Sequence, residues 1–318
     1  MTSDAALADQ PAPFDHASAR ARPEAAAVWR RAADGVRLRM GVLATGGAGT
    51  ILLVQGRTEY LEKYGAVADR FAQAGYGMVS VDIRGQGLSD RELPDPRIGH
   101  VARFADYQHD VDALVAFAAA REMPRPWVVI GHSMGGAIAL RALMRGLDVA
   151  GAVFNAPMWG IAMNPALRPV AWGLGWIADR ARLNRWVTPG MKIDSYVRSC
   201  DPADNLLTDD PAEIAQMRAQ LDAVPGVDLG GPSVPWLYRA LVECADLQRH
   251  GDPGVPTLTF LPTHDEIVSK PAMRAMTARW RDSELVEVPG GRHETMMEIP
   301  ARQHLFLDRT LAFLAARA

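Results

Sequence analysis

The sequence is poor in cysteine, which excludes a disulfide-stabilised fold. Only Cys200 and Cys244 occur among its 318 residues, and a single pair cannot form a disulfide framework. Free thiols are typical of proteins in a reducing compartment. The first 29 residues also lack the basic start and the apolar run of a secretory signal. We therefore expect a cytoplasmic protein.

Long hydrophobic runs and an excess of positive charge are also missing. The longest apolar stretches, near residues 113–120 and 169–178, are shorter than the ~20 residues of a membrane-spanning helix. Lys and Arg total 34 against 37 Asp and Glu, a net charge of −3, whereas nucleic-acid binders usually carry a basic excess. No H-E-x-x-H or paired C-x-x-C motif occurs. We expect no metal, no cofactor and no nucleic-acid partner.

The apolar fraction is 48%, enough for a sizeable core, and it is arranged as short apolar runs between helical patterns. This alternation predicts right-handed crossovers and a mostly parallel sheet, so the predicted fold class is α/β. The predicted strands are 36–43, 51–54, 78–81, 127–130, 149–154, 257–261 and 285–288. The predicted helices are 61–74, 104–120, 134–143 and 302–316.

The alternation is interrupted once. After Pro157 the apolar spacing becomes helical or irregular, and five of the eight tryptophans lie between residues 158 and 245. An insertion of this length is typical of a cap rather than of an ordinary loop. We expect a loose N-terminal arm at 1–27, a core built from 28–157 and 246–318, and a helical cap at 158–245.

A nucleophilic serine is predicted at the end of one buried strand. Residues 131–135 read Gly-His-Ser-Met-Gly, which fits G-x-S-x-G; they follow the run 127–130 and begin a helix rich in small residues. In this strand–turn–helix setting a sharp turn exposes the serine above the sheet edge. Ser133 is therefore the candidate nucleophile. The alternative interpretation is an ordinary tight turn between a strand and a helix.

The nucleophile needs a base and an orienting carboxylate, which follow it in the chain in the order acid, then histidine. His293 lies in a glycine-rich loop after the strand 285–288, where an imidazole can return over the sheet. It is the favoured base, and His264 is its rival. Asp265 follows the preceding strand at the carboxyl edge of the sheet, where the sites of α/β proteins collect. It is the favoured acid, with Glu266 as the alternative.

Acyl transfer also needs two backbone N–H groups that stabilise the developing oxyanion. One belongs to the residue after the nucleophile, Met134. The second is expected in the loop after the strand 51–54, where we choose the N–H of Arg57. The sequence does not decide between two positions for the side chain of Arg57, which are exposure to solvent and contact with Glu59.

The glycine-rich stretch 82–89 is similar in composition to a phosphate-binding loop. Such a loop opens a helix in dinucleotide-binding proteins, but here the sequence RELPDPRIG follows instead. We interpret the stretch as a structural turn in which Asp82 and Arg84 pair.

Five segments of the chain resemble the bacterial lysophospholipase and monoacylglycerol lipase branch of the serine α/β hydrolases. They are QGRTEYLEKY at 55–64, VDIRGQGLSD at 81–90, GHSMGG at 131–136, THDEIV at 263–268 and GGRHETMME at 290–298. The resemblance spans residues 30 to 316 or so and implies an α/β-hydrolase fold with an inserted helical cap. Where monoacylglycerol lipases typically carry His-Gly, this chain has Gln55-Gly56, which resembles the lysophospholipase side.

The resemblance also implies roles for individual residues. Ser133 would be the nucleophile, Asp265 the acid and His293 the base. Arg57 and Met134 would donate their backbone N–H groups to the oxyanion. These are the residues that the motif and its context favour independently.

The first half of the predicted cap is basic and aromatic. Residues 158–198 contain six Lys and Arg against two Asp, together with four tryptophans. This composition suits contact with an anionic lipid surface. It equally suits amphipathic helices that pack on their own core and leave a basic face in solvent. The first interpretation would place the protein peripherally at the inner membrane.

The residues predict a hydrolase of acyl esters that works through a covalent acyl-enzyme on Ser133. The resemblance adds the substrate class, a single-chain lipid ester such as a lysophospholipid or a monoacylglycerol, bound in an apolar cap. One alternative is an aminopeptidase-type amide hydrolase whose cap binds a free amine through Asp201, Asp204, Asp209 and Asp210. Another is a non-catalytic binding protein on a hydrolase scaffold, although all three triad residues are present.

Overall fold

A computed structural model describes residues 9–250 and 252–317, and its nine strands form one sheet. The strands are β1 (Gln10–Ala12), β2 (Ala26–Arg31), β3 (Arg37–Ala44), β4 (Thr50–Val54), β5 (Gly77–Asp82), β6 (Trp127–His132), β7 (Gly151–Asn155), β8 (Thr257–Pro262) and β9 (Ser283–Val288). Their order across the sheet is β1-β2-β3-β5-β4-β6-β7-β8-β9. The pairings from β5 through β4 to β9 are parallel, and those among β1, β2, β3 and β5 are antiparallel. The predicted α/β fold with a mostly parallel sheet is confirmed.

Ten α-helices flank or extend this sheet in the described residues. They are α1 (His16–Ala19), α2 (Gly65–Gln73), α3 (Tyr107–Ala120), α4 (Met134–Met144), α5 (Arg168–Arg180), α6 (Tyr196–Ser199), α7 (Pro211–Ala223), α8 (Val234–Leu247), α9 (Lys270–Thr277) and α10 (Pro300–Ala315). Short 3₁₀ turns precede α2, α3, α5 and α10. None of these helices is both long and apolar enough to cross a membrane.

The central strands are apolar on both faces because helices cover both. Successive side chains of a strand point to opposite faces. Accordingly Leu52 of β4 packs in a cluster with α3 and α4, whereas its neighbours Ile51 and Leu53 pack in a second cluster with α2 and α10. All three side chains are buried, and full burial of each contributes ~1.5–3 kcal/mol. This double burial explains why β4 reads as a continuous apolar run.

The N-terminal segment differs from the loose arm expected over residues 1–27. Residues 10–12 pair antiparallel with β2, and Asp15 caps helix α1 by accepting a hydrogen bond from the Ser18 N–H at 2.7 Å. The segment is rich in Ala and Pro and shows no apolar periodicity of its own. Its order comes from pairing with β2, which sequence periodicity does not report. Residues 1–8 lie outside the described residues.

The charge pair expected between Asp82 and Arg84 is wrong. The register of β3 on β5 places Arg39 opposite Asp82, and Arg39 Nε donates to Asp82 at 2.7 Å. Arg84 instead pairs with Asp110 at 2.8 Å and with Asp34 at 2.6 Å. The antiparallel pairing of β3 brings in a partner that is distant in sequence and directly opposite in the sheet.

Four helices, α5 to α8, lie between β7 and β8. Helix α8 ends at Leu247, so it crosses the expected boundary at residue 245. It is also anchored to the core, because Arg141 of α4 pairs with Glu243 at 2.8 Å and the Trp236 ring N–H donates to the Tyr107 hydroxyl at 2.9 Å. The inserted segment is therefore joined to the sheet domain along the length of α8.

Candidate active site

Ser133 sits at the sharp turn between β6 and α4. Its backbone has φ +51° and ψ −120°, a combination that an ordinary residue adopts only at a cost of about 1–3 kcal/mol. The turn is held by the Ser133 N–H, which donates to the Asn155 carbonyl at 3.1 Å, and by the Met158 N–H, which donates to the Ser133 carbonyl at 2.8 Å. The neighbouring strand β7 thus fixes the conformation that presents the hydroxyl.

The two glycines of the G-x-S-x-G motif are required by close backbone approach. A Cβ atom on Gly135 would lie 2.0 Å from the Val54 carbonyl oxygen, and one on Gly131 would lie 2.8 Å from the Gly135 carbonyl oxygen. Both distances are shorter than any van der Waals contact. The glycines therefore allow the start of α4 to approach β4 and the preceding strand closely.

The structure brings together the three residues predicted as a triad. His293 Nε2 lies 2.8 Å from Ser133 Oγ, and His293 Nδ1 lies 2.7 Å from Asp265 Oδ2. Asp265 follows β8 by three residues and His293 follows β9 by five, so both loops leave the same edge of the sheet as Ser133. All three side chains are buried. The order Ser–His–Asp matches the geometry of nucleophile, base and orienting acid.

Asp265 is held in its ionised form. Burial alone would raise the pKa of this carboxyl, but the charge and hydrogen bond of His293 outweigh burial and lower it below its ordinary value. The backbone N–H groups of Ile267 and Val268 also donate to Oδ1, at 2.7 and 3.1 Å. A carboxylate with three donors can orient the imidazole and stabilise its charged form.

The rival residues lie elsewhere. His264 and Glu266 are exposed, and neither contacts Ser133. His264 is adjacent in sequence to Asp265, but the turn directs only one of the two side chains toward the base. The choice between neighbouring residues thus depends on side-chain direction, which the sequence motif alone does not report.

The proposed oxyanion donors, the N–H groups of Arg57 and Met134, belong to residues that line the same cavity as Ser133 and His293. Neither N–H donates to any residue that the structure describes. The loop that carries Arg57 is fixed from both sides, because the Gly56 N–H donates to Glu59 and the Gln86 amide donates to the Gly56 carbonyl. Free donors on a fixed loop are what oxyanion stabilisation requires.

The side chain of Arg57 takes neither of its two expected positions. Its Nη1 donates to the Gly230 carbonyl at 2.7 Å, and the guanidinium lies 5.8 Å from the centroid of the Trp236 ring. Glu59 is engaged instead by Lys63, at 2.5 Å, and by the Tyr64 hydroxyl, at 2.5 Å. Arg57 therefore faces the wall of the cavity.

A buried charge cluster lies directly beneath the triad, and sequence reasoning missed it. It consists of Glu59, Lys63, His132 and Glu294, which we call the buried quartet. Lys63 Nζ lies 2.5 Å from Glu59 and 2.7 Å from Glu294, and His132 Nε2 lies 3.2 Å from Glu294. The rings of His132 and His293 are 5.0 Å apart between centroids. The quartet joins the oxyanion loop, the nucleophile turn and the loop of the base.

Three members of the quartet have pKa values that are shifted in favour of their charged forms. Burial would lower the pKa values of Lys63 and His132, but the two glutamates outweigh it and raise both. Burial would raise the pKa of Glu294, yet Lys63 and His132 hold it well below its ordinary value. Attraction between opposite charges thus outweighs burial for these three residues.

The donor set of this cluster also bears on metal binding. Ligand atoms of Glu59, His132 and Glu294 lie within 4.8 Å of one another. The Lys63 ammonium, however, is within hydrogen-bond distance of both carboxylates and takes the place of a cation. The sequence did contain a signal for part of the cluster, since Glu59 and Lys63 are four residues apart, a spacing typical of helical ion pairs.

The triad opens into a cavity of about 550 Å³, within the range of small-molecule sites. Its walls are largely apolar and combine core and inserted segments, with Met158, Ile161, Leu229, Trp236 and Leu237 among the lining residues. A cavity of this composition suits an apolar ligand that reaches the serine.

Comparison with known proteins identifies the family to which the chain belongs. Residues 47–300 match the model of the family described as serine aminopeptidase, S33. The chain belongs to this family. The match extends from the segment before β4 to the start of α10, so it includes all five predicted site residues.

Named relatives of this chain include lipid hydrolases. Lysophospholipase L2 of Escherichia coli K12 is 30% identical over 276 residues, which cover 83% of this chain and 79% of that protein. A monoacylglycerol lipase of Mycolicibacterium smegmatis is 28% identical over 279 residues, which cover 84% and 88%. The structure of a monoglyceride lipase variant from Saccharomyces cerevisiae matches with a TM-score of 0.70 and 20% identity, over 91% of this chain and 94% of that one. The predicted resemblance to the lysophospholipase and monoacylglycerol lipase branch is confirmed.

Proposed function

We propose that this protein is a serine hydrolase that cleaves carboxylic esters of single-chain lipids through an acyl-enzyme on Ser133. The observation that carries the proposal is the hydrogen-bonded row Ser133–His293–Asp265 at the base of an apolar cavity. The named relatives supply the substrate class, a lysophospholipid or a monoacylglycerol.

In this proposal Ser133 Oγ attacks the ester carbonyl while His293 Nε2 takes the hydroxyl proton. The N–H groups of Arg57 and Met134 stabilise the oxyanion of the tetrahedral intermediate. The alcohol leaves with the proton that His293 returns to it, and the acyl group stays on Ser133. His293 then deprotonates a water molecule, which releases the fatty acid and restores the serine. Asp265 orients the imidazole throughout. No cofactor or metal is part of the proposed cycle.

An amide hydrolase is the second candidate, because the family is described as a serine aminopeptidase. A free amine would need an unpaired carboxylate in the cavity. Asp201, Asp204, Asp209 and Asp210 are not among the residues that line it, and Asp209 is paired with Arg292 and Arg302. Asp194 does line the cavity, but it lies 3.4 Å from Arg97. These observations favour the ester over the amide. The hydrogen-bonded row Ser133–His293–Asp265 favours a catalytic protein over a binding scaffold.

We further propose that residues 158–245 act as a cap and that the cap contacts anionic membranes. Large apolar side chains are exposed along α5, with Val170 at 60%, Ile177 at 55% and Trp176 at 49%. Four arginines of this region, Arg168, Arg180, Arg182 and Arg185, form no ion pair with any described residue. Exposed apolar groups beside free cations complement a surface of anionic lipid. Peripheral association from the cytoplasm accords with two free cysteines.

The function is tested by the kind of bond that the protein cleaves. Wild type and Ser133→Ala would be given a lysophosphatidylcholine, a monoacylglycerol and an alanine anilide. We expect fatty acid release by wild type from at least one of the lipids, a loss of ~10⁴-fold or more in Ser133→Ala, and no anilide cleavage. Release of the aniline alone would favour the amide hydrolase.

A further inference from the structure

Arg57 carries a charge that the protein itself does not balance. The two arginines that are buried among the described residues are each paired with two carboxylates: Arg39 with Asp82 and Glu62, and Arg84 with Asp34 and Asp110. Arg57 is half-buried. Arg57 has no carboxylate partner in the part of the chain that the structure describes. Its one hydrogen bond there is from Nη1 to the Gly230 carbonyl, so most of its donors are left for another partner.

The guanidinium is charged despite its surroundings. Burial lowers the pKa of Arg57 to about 10, which still leaves it protonated at neutral pH. A charge that is partly withdrawn from water and has no counter-ion is costly unless a ligand compensates it. The wall of the cavity therefore has a deficit of negative charge beside the nucleophile.

A second cationic residue, the exposed Lys192, belongs to the same cavity wall. Its ammonium forms no ion pair within residues 9–250 and 252–317. The two residues meet at one short segment, because the Gly230 carbonyl accepts from Arg57 and the Gly231 N–H donates to the Lys192 carbonyl at 2.7 Å. Both carboxylates that line the cavity already have partners, since Glu294 pairs with Lys63 and Asp194 lies 3.4 Å from Arg97, a residue outside the lining.

We infer that the side chain of Arg57, assisted by Lys192, forms a subsite for the phosphodiester of a single-chain phospholipid. The inference rests on the proposed function and adds a residue that sets its specificity. The backbone N–H of Arg57 faces the reacting carbonyl in that function, and its side chain leaves the same loop. In a lysophospholipid only a glycerol unit separates the ester from the phosphate. The backbone N–H of Arg57 can therefore bind the ester carbonyl while its side chain binds the phosphate of the same substrate molecule. Guanidinium groups bind phosphate with two parallel hydrogen bonds, which a neutral glycerol headgroup cannot accept as well.

The test compares two substrates of equal acyl chain, a short-chain lysophosphatidylcholine and the matching monoacylglycerol, both kept monomeric. The variants are Arg57→Gln, Arg57→Lys and Lys192→Met, and every one retains the backbone N–H at position 57. We expect Arg57→Gln to lower the ratio of kcat/KM for lysophospholipid over monoacylglycerol by about tenfold or more. Arg57→Lys should recover part of that ratio, and Lys192→Met should lower it by a smaller factor.

Arg91 offers a matched control. It is likewise a half-buried arginine held by carbonyl oxygens, those of Gly85, Gly87 and Gly226, but it does not line the cavity. Arg91→Gln should change turnover of both substrates by the same factor. Urea unfolding of each variant shows whether the fold is retained.

A competition experiment separates a lipid headgroup from a free anion. Glycerophosphocholine should inhibit monoacylglycerol turnover by wild type and inhibit Arg57→Gln at least several-fold more weakly, whereas inorganic phosphate at the same concentration should not inhibit. Inhibition by inorganic phosphate alone would contradict a headgroup subsite.

An unchanged ratio of kcat/KM in Arg57→Gln would overturn the subsite, while the proposed ester hydrolysis would stand. If turnover of both substrates falls by the same factor, the side chain has a structural role through Gly230. If neither turnover changes, the side chain does not contact either substrate. If wild type hydrolyses neither lipid, the proposed function itself fails and the subsite falls with it.

Discussion

Lys63 is the residue at which the three loops of the site meet. Its ammonium bridges Glu59, which accepts from the Gly56 N–H in the oxyanion loop, and Glu294, which follows the base. His132 precedes the nucleophile and lies 3.2 Å from Glu294. Displacement of one loop would therefore shift the other two. A misplacement of reacting groups by about 1 Å can lower the catalytic rate by ~10²-fold.

Lys63→Met should lower both stability and kcat. The methionine fills much the same space but leaves two buried carboxylates without their cation, and breaking a buried ion pair costs about 3–5 kcal/mol. We expect urea unfolding to show a loss of that order and kcat to fall by ~10- to 100-fold in protein that is still folded.

Arg145→Met is the matched control for Lys63→Met. Arg145 pairs with Asp112 at 3.1 Å, but both side chains are about half exposed, at 46% and 56%, and such pairs contribute little. The variant should unfold close to wild type and keep its kcat. Equal effects of the two substitutions would contradict the role given to the quartet.

The charge of His132 gives stability a pH dependence. Because the folded protein raises the pKa of this imidazole above its ordinary value, the protonated form contributes stability that is fully present below pH ~6.5. That contribution is lost as the pH rises through the folded pKa. The difference in unfolding free energy between wild type and His132→Asn should accordingly be largest near pH 6 and shrink toward pH 9. A difference that is constant over this range, measured by urea unfolding, would show that His132 is not charged.

Among single residues, the sequence predicts the role of those that lie in a recognisable local motif. Ser133 and His293 lie in local motifs, and the structure places both within the same hydrogen-bonded row. The quartet and the partner of Asp82 escaped prediction because their contacts join segments that only the fold brings together. The position of the Arg57 side chain was missed for the same reason, since its acceptor is Gly230.

Among the elements, the turn from β6 into α4 depends most on the absence of side chains. Gly135→Ala would place its Cβ 2.0 Å from the Val54 carbonyl oxygen, so helix and strand must separate. We expect a loss of several kcal/mol and of lipid hydrolysis. Gly173→Ala is the comparison, because that glycine lies within α5 with nothing within 4 Å of its Cβ position. It should be neutral or stabilise the protein by up to about 1 kcal/mol. Thermal unfolding of both variants measures the contrast.

The elements that the sequence predicts well are those buried on two sides. Strands β4, β5, β6 and β8 read as apolar runs because helices cover both faces of the sheet. Strand β1 was missed because Gln-Pro-Ala has no strand character apart from its pairing with β2. Helix α9 was missed as well, because a segment of eight residues is too short for its helical periodicity to be distinguished from that of a loop.

For the whole molecule, the exposed apolar groups of α5 give the proposed membrane contact a definite location. Val170→Ser should weaken binding to vesicles of anionic lipid by several-fold, because ~1 kcal/mol of apolar burial is lost. Val242→Ser is the matched control, an exposed valine of α8 at 40%. Sedimentation with vesicles should also show weaker binding of wild type at high salt. Equal binding of both variants would place the contact elsewhere.

Ser133 is proposed to be the nucleophile of a lipid ester hydrolase, and covalent labelling is the first test of that role. Wild type and Ser133→Ala would be treated with a fluorophosphonate probe, and the modified residue would be located by mass spectrometry alongside fatty acid release from a lysophospholipid. We expect one label on Ser133, loss of fatty acid release upon labelling, and neither label nor release in Ser133→Ala. Folded wild-type protein that stays unlabelled at Ser133, or that releases fatty acid after Ser133 is blocked, would contradict it.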